Sequence, residues 1–143
     1  MKIVIDNNVV LDALLERKPF NDSAEKIFML CAKERNCYLS ANSLTDIFFV
    51  LRKSIDVKTS KTAIKHLIKL FDTIDVTKED CSNALDLSMD DFEDALVATC
   101  ASKVGADYII TRDVAFIKSN SPVKVISPDD FLSENKSAME YNQ

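Results

Sequence analysis

A chain of 143 residues, 47% of them apolar and 29% charged, can bury the core of one domain without staples. It contains no apolar run near the roughly 20 residues that a membrane helix needs, and the apolar stretch after Lys2 is too short for a secretory signal, so a cytoplasmic protein is expected. The net charge of −5 argues against a protein that holds nucleic acid by bulk electrostatics.

Five short apolar segments alternate with helical patterns along the chain. The predicted strands cover residues 2–5, 37–40, 73–76, 107–111 and 123–126. The predicted helices, most with apolar residues at helical spacing, cover 24–33, 43–53, 61–71, 78–87 and 92–104. This alternation predicts an α/β fold: a three-layer α/β/α sandwich with a central parallel sheet of four to five strands. Residues 1–132 are expected to form this domain, followed by a polar, flexible tail over 133–143.

The charges are distributed unevenly along the chain. Between positions 52 and 69 there are six basic residues and one acid, Asp56, whereas positions 72–94 carry nine acids and one base, Lys78. The molecule can therefore present an acidic site and a basic surface at the same time.

Cysteine, histidine and glycine usage excludes several classes of site. The four cysteines have no CxxC spacing and no neighbouring histidine, so neither a zinc site nor a disulfide framework is expected, and they are interpreted as reduced core residues: Cys31, Cys37, Cys81 and Cys100. The only histidine, His66, lies in a Lys-rich helix and is expected to be hydrogen-bonded within the protein or solvated. A single glycine, Gly105, excludes the glycine-rich phosphate loops of Rossmann and P-loop proteins.

Carboxylates follow the predicted strands, where sites form in parallel sheets. Asp6 ends the first strand, Asp113 follows the fourth, and Asp46 lies in the helix after the second. Asp94 opens an Ala-rich helix that is expected to pack closely and turn this side chain inward. Each acid also has a structural explanation, as a cap, a turn residue or a surface position. For Asp91 and Glu93, in the same helical turn, that structural explanation is preferred, because acids there complement the helix dipole.

The segments IVIDNN, SLTDIFFVLRK, DFEDALVATCA, ADYIITRD and VKVISPDDFL follow one another in an order that resembles the PIN domain family. These proteins are metal-dependent ribonucleases, and many are toxins of type II toxin–antitoxin pairs. The resemblance covers residues 2–132. Two positions depart from the family pattern: Asp46 stands where Glu is usual, and Asn7 stands where Ser or Thr is usual.

The resemblance implies a PIN-like fold and a ribonuclease that uses Mg²⁺ or Mn²⁺. The catalytic residues that it implies are Asp6, Asp46, Asp94 and Asp113. Of these, it assigns the metal to Asp6, Asp94 and Asp113, and it assigns substrate contact or orientation to Asn8, Thr111 and Arg112. The expected partners are an RNA substrate, a cognate antitoxin and a second copy of the chain. Four consecutive apolar residues, 48–51, are explained equally well by a homodimer face and by burial within one chain.

The chemistry of such a site follows from its charges. Carboxylates brought to about 4 Å repel one another by about 4 kcal/mol per pair at an effective dielectric constant near 20, and a divalent cation removes this conflict. Ligands that are all oxygen favour Mg²⁺ or Mn²⁺ over zinc, and a water activated by the metal can attack an RNA phosphodiester. Arg52, Lys53 and Arg112 are expected near the cleft, while the stripe of Lys58, Lys61, Lys65 and Lys69 is interpreted as a solvated face.

Two other functions remain open from the sequence. One is a catalytically weak or inactive PIN-like module that binds RNA or protein. The other, less favoured, is a phosphoryl-accepting signalling domain, which needs a second acid where this chain has Asn7 and Asn8. Such a domain also needs a lysine at the end of a late strand, and Lys124 lies inside its predicted strand.

Overall fold

The structure is a computed structural model, which describes residues 1–136. Its strands are β1 (Ile3–Ile5), β2 (Cys37–Ser40), β3 (Asp72–Ile74), β4 (Tyr108–Ile110) and β5 (Lys124–Ile126). Its helices are α1 (Asn7–Leu14), α2 (Asn21–Glu34), α3 (Ala41–Ser54), α4 (Val57–Leu70), α5 (Lys78–Leu85), α6 (Phe92–Lys103), α7 (Val114–Ile117) and α8 (Pro128–Glu134).

The five strands form one parallel sheet in the order β3-β2-β1-β4-β5. Ile3 and Ile5 of β1 belong to one apolar cluster and Val4 belongs to a second, because successive side chains of a strand point to opposite faces. All three residues are buried, as expected for a parallel strand that has helices on both sides. The predicted sandwich is therefore confirmed, with five strands.

The order in which the chain adds strands to the sheet reverses beside β1. From β1 the chain adds β2 and then β3 on one side, and it later returns to add β4 and then β5 on the other side. Ligands of open parallel sheets bind at such a switch point, outside the carboxyl ends of the strands. The residues that follow β1 and β4 are therefore placed side by side at the carboxyl edge of the sheet.

All five predicted strands are present, with ends that differ by at most two residues. Helix α4 begins four residues earlier than predicted because Asp56 caps it and accepts a hydrogen bond from the backbone N–H of Thr59 (2.8 Å). Helices α1, α7 and α8 were not predicted. In α1 the buried residues run consecutively from Val9 to Asp12, which hides the helical period, and α7 and α8 are too short to show one.

The expectation of four reduced cysteines is wrong for Cys31 and Cys37, which form a disulfide with a Cα–Cα distance of 5.4 Å. Helix α2 ends at Glu34, and the next residue, Arg35, has a left-handed conformation (φ 54°) that turns the chain towards β2. That turn brings together two cysteines that are six positions apart. Cys81 and Cys100 are free thiols, as predicted.

Helix α6 packs closely, as its small residues predicted. Ala95, Ala98 and Ala101 are buried, and Gly105 (φ 70°) follows the end of the helix in a conformation that only glycine adopts readily. Within residues 1–136, no helix is long and apolar enough to cross a membrane. Helix α8 extends to Glu134, two residues into the predicted tail, and residues 137–143 of that tail lie outside the described part of the chain.

Candidate functional site

Asp6 follows β1 directly and caps helix α1. One carboxylate oxygen, Oδ1, accepts a hydrogen bond from the backbone N–H of Asn7 (2.9 Å). The other, Oδ2, accepts from Thr111 Oγ1 (2.8 Å) and from Asn8 Nδ2 (3.4 Å). Burial raises the pKa of Asp6, and the negative charges of Asp113 and Asp91 raise it further, although the hydrogen bonds from Thr111 and Asn7 oppose this shift. The carboxylate is thus held in one orientation beside other acids.

A hydrogen-bond network joins the segments that follow β1 and β4. The buried Thr111 hydroxyl donates to Asp6 and accepts from Asn8 Nδ2 (2.9 Å) and from the backbone N–H of Asp113 (3.1 Å). Asn8 Oδ1 also accepts from the backbone N–H of Arg112 (3.3 Å). Asn8 and Thr111 therefore orient Asp6 and fix the two segments relative to each other.

Asp113 is a helix cap, which was the structural explanation offered for it from the sequence. It caps α7 by accepting a hydrogen bond from the backbone N–H of Ala115 (3.0 Å), and it is exposed to solvent. Its charge nevertheless contributes to the raised pKa values of Asp6 and Asp94. Asp113 is therefore both a helix cap and part of an acidic cluster.

Asp94 is a second acid of this cluster whose pKa is raised. Its pKa is raised to about 7, first by burial and then by the negative charges of Asp91, Asp6 and Asp113. The backbone N–H of Asp94 donates to Asp91 Oδ1 (2.9 Å), which confirms the predicted capping role of Asp91. The predicted inward turn of Asp94 is consistent with its partial burial.

Glu93 belongs to the same acidic environment, although the sequence suggested only a capping role for it. Its side chain is exposed, but desolvation by the surrounding protein raises its pKa, and the charges of Asp46 and Asp6 raise it further. Asp46 itself is exposed on α3. Its negative charge acts on Glu93, which is also affected by Asp6. The signal in the sequence was the density of acids in DDFED. Whether Glu93 lies near Asp46, however, depends on where α3 packs.

Arg112 does not offer its side chain freely to a substrate. Its Nε and Nη2 atoms contact both carboxylate oxygens of Asp12, at 2.6 and 3.1 Å, and its guanidinium lies 4.2 Å from the ring centroid of Phe20. Asp12 is 1% exposed and has a second cation, Arg17, at 3.7 Å. Arg112 thereby ties the segment after β4 to α1. Sequence reasoning missed Asp12, because no pattern marked its partner 100 positions away.

The carboxylate oxygens of the acidic cluster suit a hard divalent cation, although they do not form a complete metal site in this structure. Among residues 1–136, no three carboxylate, imidazole or thiolate groups are arranged closely enough to form a ready metal cage. The carboxylates supply only oxygen ligands, as Mg²⁺ and Mn²⁺ prefer, and their mutual repulsion favours a bound cation. Two buried oxygens at this edge, Asn7 Oδ1 and Asn42 Oδ1, accept no hydrogen bond within the described chain. The residues present therefore fit such an ion.

Comparison with known proteins identifies related chains. Ribonuclease VapC1 of Aquifex aeolicus (strain VF5) is 27% identical over 136 residues, which cover 91% of this chain and 92% of that protein. Among solved structures, VapBC2 from Rickettsia felis, bound to a DNA fragment from its promoter, superimposes with a TM-score of 0.69. That match has 16% identity and covers 89% of this chain and 98% of the other.

A second solved structure also resembles this chain. It is VapC20 from Mycobacterium tuberculosis, described as a sarcin–ricin loop cleaving toxin, with a TM-score of 0.64 and 17% identity over 80% of this chain and 92% of the other. At these identities the two structures show a shared fold. The family model of the PIN domain matches residues 2–115, which is most of the sequence. The resemblance seen in the motifs is thus confirmed, and the chain belongs to the PIN domain family.

Proposed function

We propose that the chain is a ribonuclease that depends on Mg²⁺ or Mn²⁺ and is the toxin of a toxin–antitoxin pair. The observation that carries this proposal is the acidic cluster at the switch point of a PIN domain, where burial and neighbouring charges raise the pKa of Asp94 to about 7. The Aquifex aeolicus relative is named a ribonuclease, and VapC20 is described as a sarcin–ricin loop cleaving toxin.

In this proposal, Asp6, Asp94 and Asp113 hold the metal ion. A divalent cation bound there supplies positive charge that offsets the carboxylates and stabilises the charge that develops on the phosphate oxygens. Thr111 and Asn8 keep the Asp6 carboxylate in its orientation through the hydrogen bonds described above. Asp46 and Glu93 orient the attacking water, and Glu93, whose pKa is raised, accepts its proton.

The proposed partners of the chain are an RNA substrate, an antitoxin protein and a second copy of the chain. Its proposed location is the cytoplasm. A similar solved structure from Klebsiella pneumoniae is a toxin–antitoxin complex, which supports an antitoxin. Arg112 is assigned a positioning role in place of direct contact with RNA, because its guanidinium is paired with Asp12.

Metal binding can be tested by thermal melting at pH 8, with Mn²⁺ added to the metal-free protein. We expect the melting temperature to rise by about 5 to 10 °C at about 100 times the Kd, because the ion binds only the folded chain. Asp6→Asn should reduce this rise. Equal melting curves with and without Mn²⁺ would favour the alternative function, a PIN-like module that binds RNA or protein without cutting.

The side-chain length at position 46 provides a second prediction. Asp46 is one methylene shorter than the glutamate usual at this place, so Asp46→Glu should raise the cleavage rate or the affinity for metal, and Asp46→Ala should lower either one. Both are measured from RNA cleavage as a function of Mn²⁺ concentration. If neither variant differs from the wild type, Asp46 is only a surface residue of α3.

We propose a homodimer for the chain when it is purified alone. The apolar run 48–51 supplies less free surface than the sequence suggested, because Leu51 is buried and Phe48 and Val50 are partly buried, which leaves Phe49 exposed. Light scattering should give twice the chain mass of 16.0 kDa. A mass of one chain across the micromolar range would contradict the dimer.

A further inference from the structure

Helix α3 carries a cation–aromatic patch, formed by Phe49, Arg52 and Lys53. The Lys53 ammonium lies 4.1 Å from the ring centroid of Phe49, and the Arg52 guanidinium carbon lies 5.3 Å from it. The ring is 49% exposed. A cation over an aromatic face is attracted to it even at an exposed site, so the ring keeps both cations near one place on the surface.

The patch shares a helical face with Asp46. Asp46, Phe49 and Lys53 are spaced i, i+3 and i+7, and residues with this spacing lie in one row along a helix. At 1.5 Å per residue, Lys53 is roughly 10 Å along the helix axis from Asp46. The row therefore begins beside Glu93, at the acidic cluster, and ends at the cations.

The cations of this patch are not neutralised by the protein. Within residues 1–136, neither Arg52 nor Lys53 has a carboxylate within ion-pair distance. The acid nearest to them in sequence, Asp56, caps α4 through hydrogen bonds to Thr59. Helix α4, which packs against α3, adds further exposed positive charge with Lys58, Lys61, Lys65 and Lys69. This surface is positive although the whole chain is acidic.

We propose that the patch binds the RNA strand beside the acidic site, with Lys53 and Arg52 on phosphates and Phe49 against an unpaired base. This inference rests on the proposed function. A distance of roughly 10 Å corresponds to about three stacked nucleotides, so the patch contacts the strand near the point of cleavage. Carboxylates repel the other phosphates of the substrate, and a cationic surface that continues from the cleft compensates for that repulsion. An aromatic ring stacks on any base, so the patch favours single strands without reading their sequence.

Salt dependence of RNA binding tests this patch without any cleavage step. The probe is a labelled oligouridylate of about 12 nucleotides, bound in Mg²⁺ by protein that also carries Asp6→Asn. Loss of one phosphate contact should reduce the slope of log affinity against log salt by about 0.7, and weaken binding about fivefold near 0.1 M salt. We expect this result for Lys53→Gln. Phe49→Leu should weaken binding at an unchanged slope, and Lys26→Gln, which removes an exposed lysine of α2, should change neither.

Three results would overturn the patch. The first is an unchanged slope in Lys53→Gln, and if the wild type still cuts RNA, this result leaves the proposed function intact. The second is unchanged RNA binding together with lost binding of a co-expressed antitoxin, which would make the patch a protein-binding surface. The third is a wild type that neither binds nor cuts RNA, which would contradict the proposed function as well.

Discussion

Asp94→Asn should abolish metal-dependent RNA cleavage and make the metal-free protein more stable at pH 8. The carboxylate is assigned to the metal, and loss of one electrostatic contact to a transition state typically costs about 100- to 1,000-fold in rate. The same carboxylate is partly buried among Asp91, Asp6 and Asp113, so its charge opposes folding when no cation is present.

The pH dependence of this effect follows from the direction of the pKa shift. The pKa of Asp94 rises from 3.8 to about 7 on folding, so between these values the folded chain holds a proton that the unfolded chain has released. The contribution of this group to stability is therefore most favourable below pH 3.8, falls as the pH rises, and is lost above about 7. Asparagine does not ionise, so the variant should lack this part of the decline.

Unfolding in urea and EDTA, measured from pH 4 to pH 8, checks this prediction. The wild type should lose more stability than Asp94→Asn over this range. Glu25→Gln, which changes an exposed carboxylate of α2, is the matched control and should follow the wild type. If the unfolding free energy of Asp94→Asn falls with pH as steeply as that of the wild type, the neighbours of Asp94 do not raise its pKa.

Arg112→Met should destabilise the fold by about 2 kcal/mol, because it leaves the Asp12 carboxylate almost without a partner in the interior. Removal of one member of a fully buried ion pair costs about 3 to 5 kcal/mol, and the expected value is smaller here because Arg112 is one-third exposed and Arg17 stays 3.7 Å from Asp12. The variant should also cut RNA more slowly, since it frees the segment that carries Thr111 and Asp113.

A double variant separates lost charge pairing from lost packing. Asp12→Asn combined with Arg112→Met leaves no buried charge, so it should be more stable than Arg112→Met alone. Urea unfolding measures the wild type, Arg112→Met and the double variant. If Arg112→Met is as stable as the wild type within about 0.5 kcal/mol, the contact between Arg112 and Asp12 does not hold the segment after β4 in place.

The places of two acids, Asp6 and Asp113, could be predicted because they follow strands. Asp6 and Asp113 come after β1 and β4, and parallel strands bring their carboxyl ends to one edge of a sheet. Asp94 was found from the small residues that follow it, which require a closely packed helix. These inferences depend on local patterns, which the sequence shows directly.

The features that were missed depend on tertiary packing or on one backbone angle. Asp12 lies in α1, a helix without a visible period, and its partner comes from the other half of the chain. Glu93 is affected by the charges of Asp46, Asp6 and Asp91, which come from three separate segments of the chain. The disulfide spans a turn in which Arg35 has a left-handed conformation, which its residue type does not indicate.

Cleavage of RNA by the purified chain is the most direct test of the proposed function. The wild type and Asp6→Asn are incubated with one structured and one unstructured RNA, in Mn²⁺ and in EDTA, and products are separated by length. We expect the wild type to cut only in Mn²⁺, and Asp6→Asn to cut neither RNA while it unfolds cooperatively, which shows that it is folded. Equal cleavage by both proteins, or cleavage by the wild type in EDTA, would contradict a metal-dependent nuclease centred on Asp6.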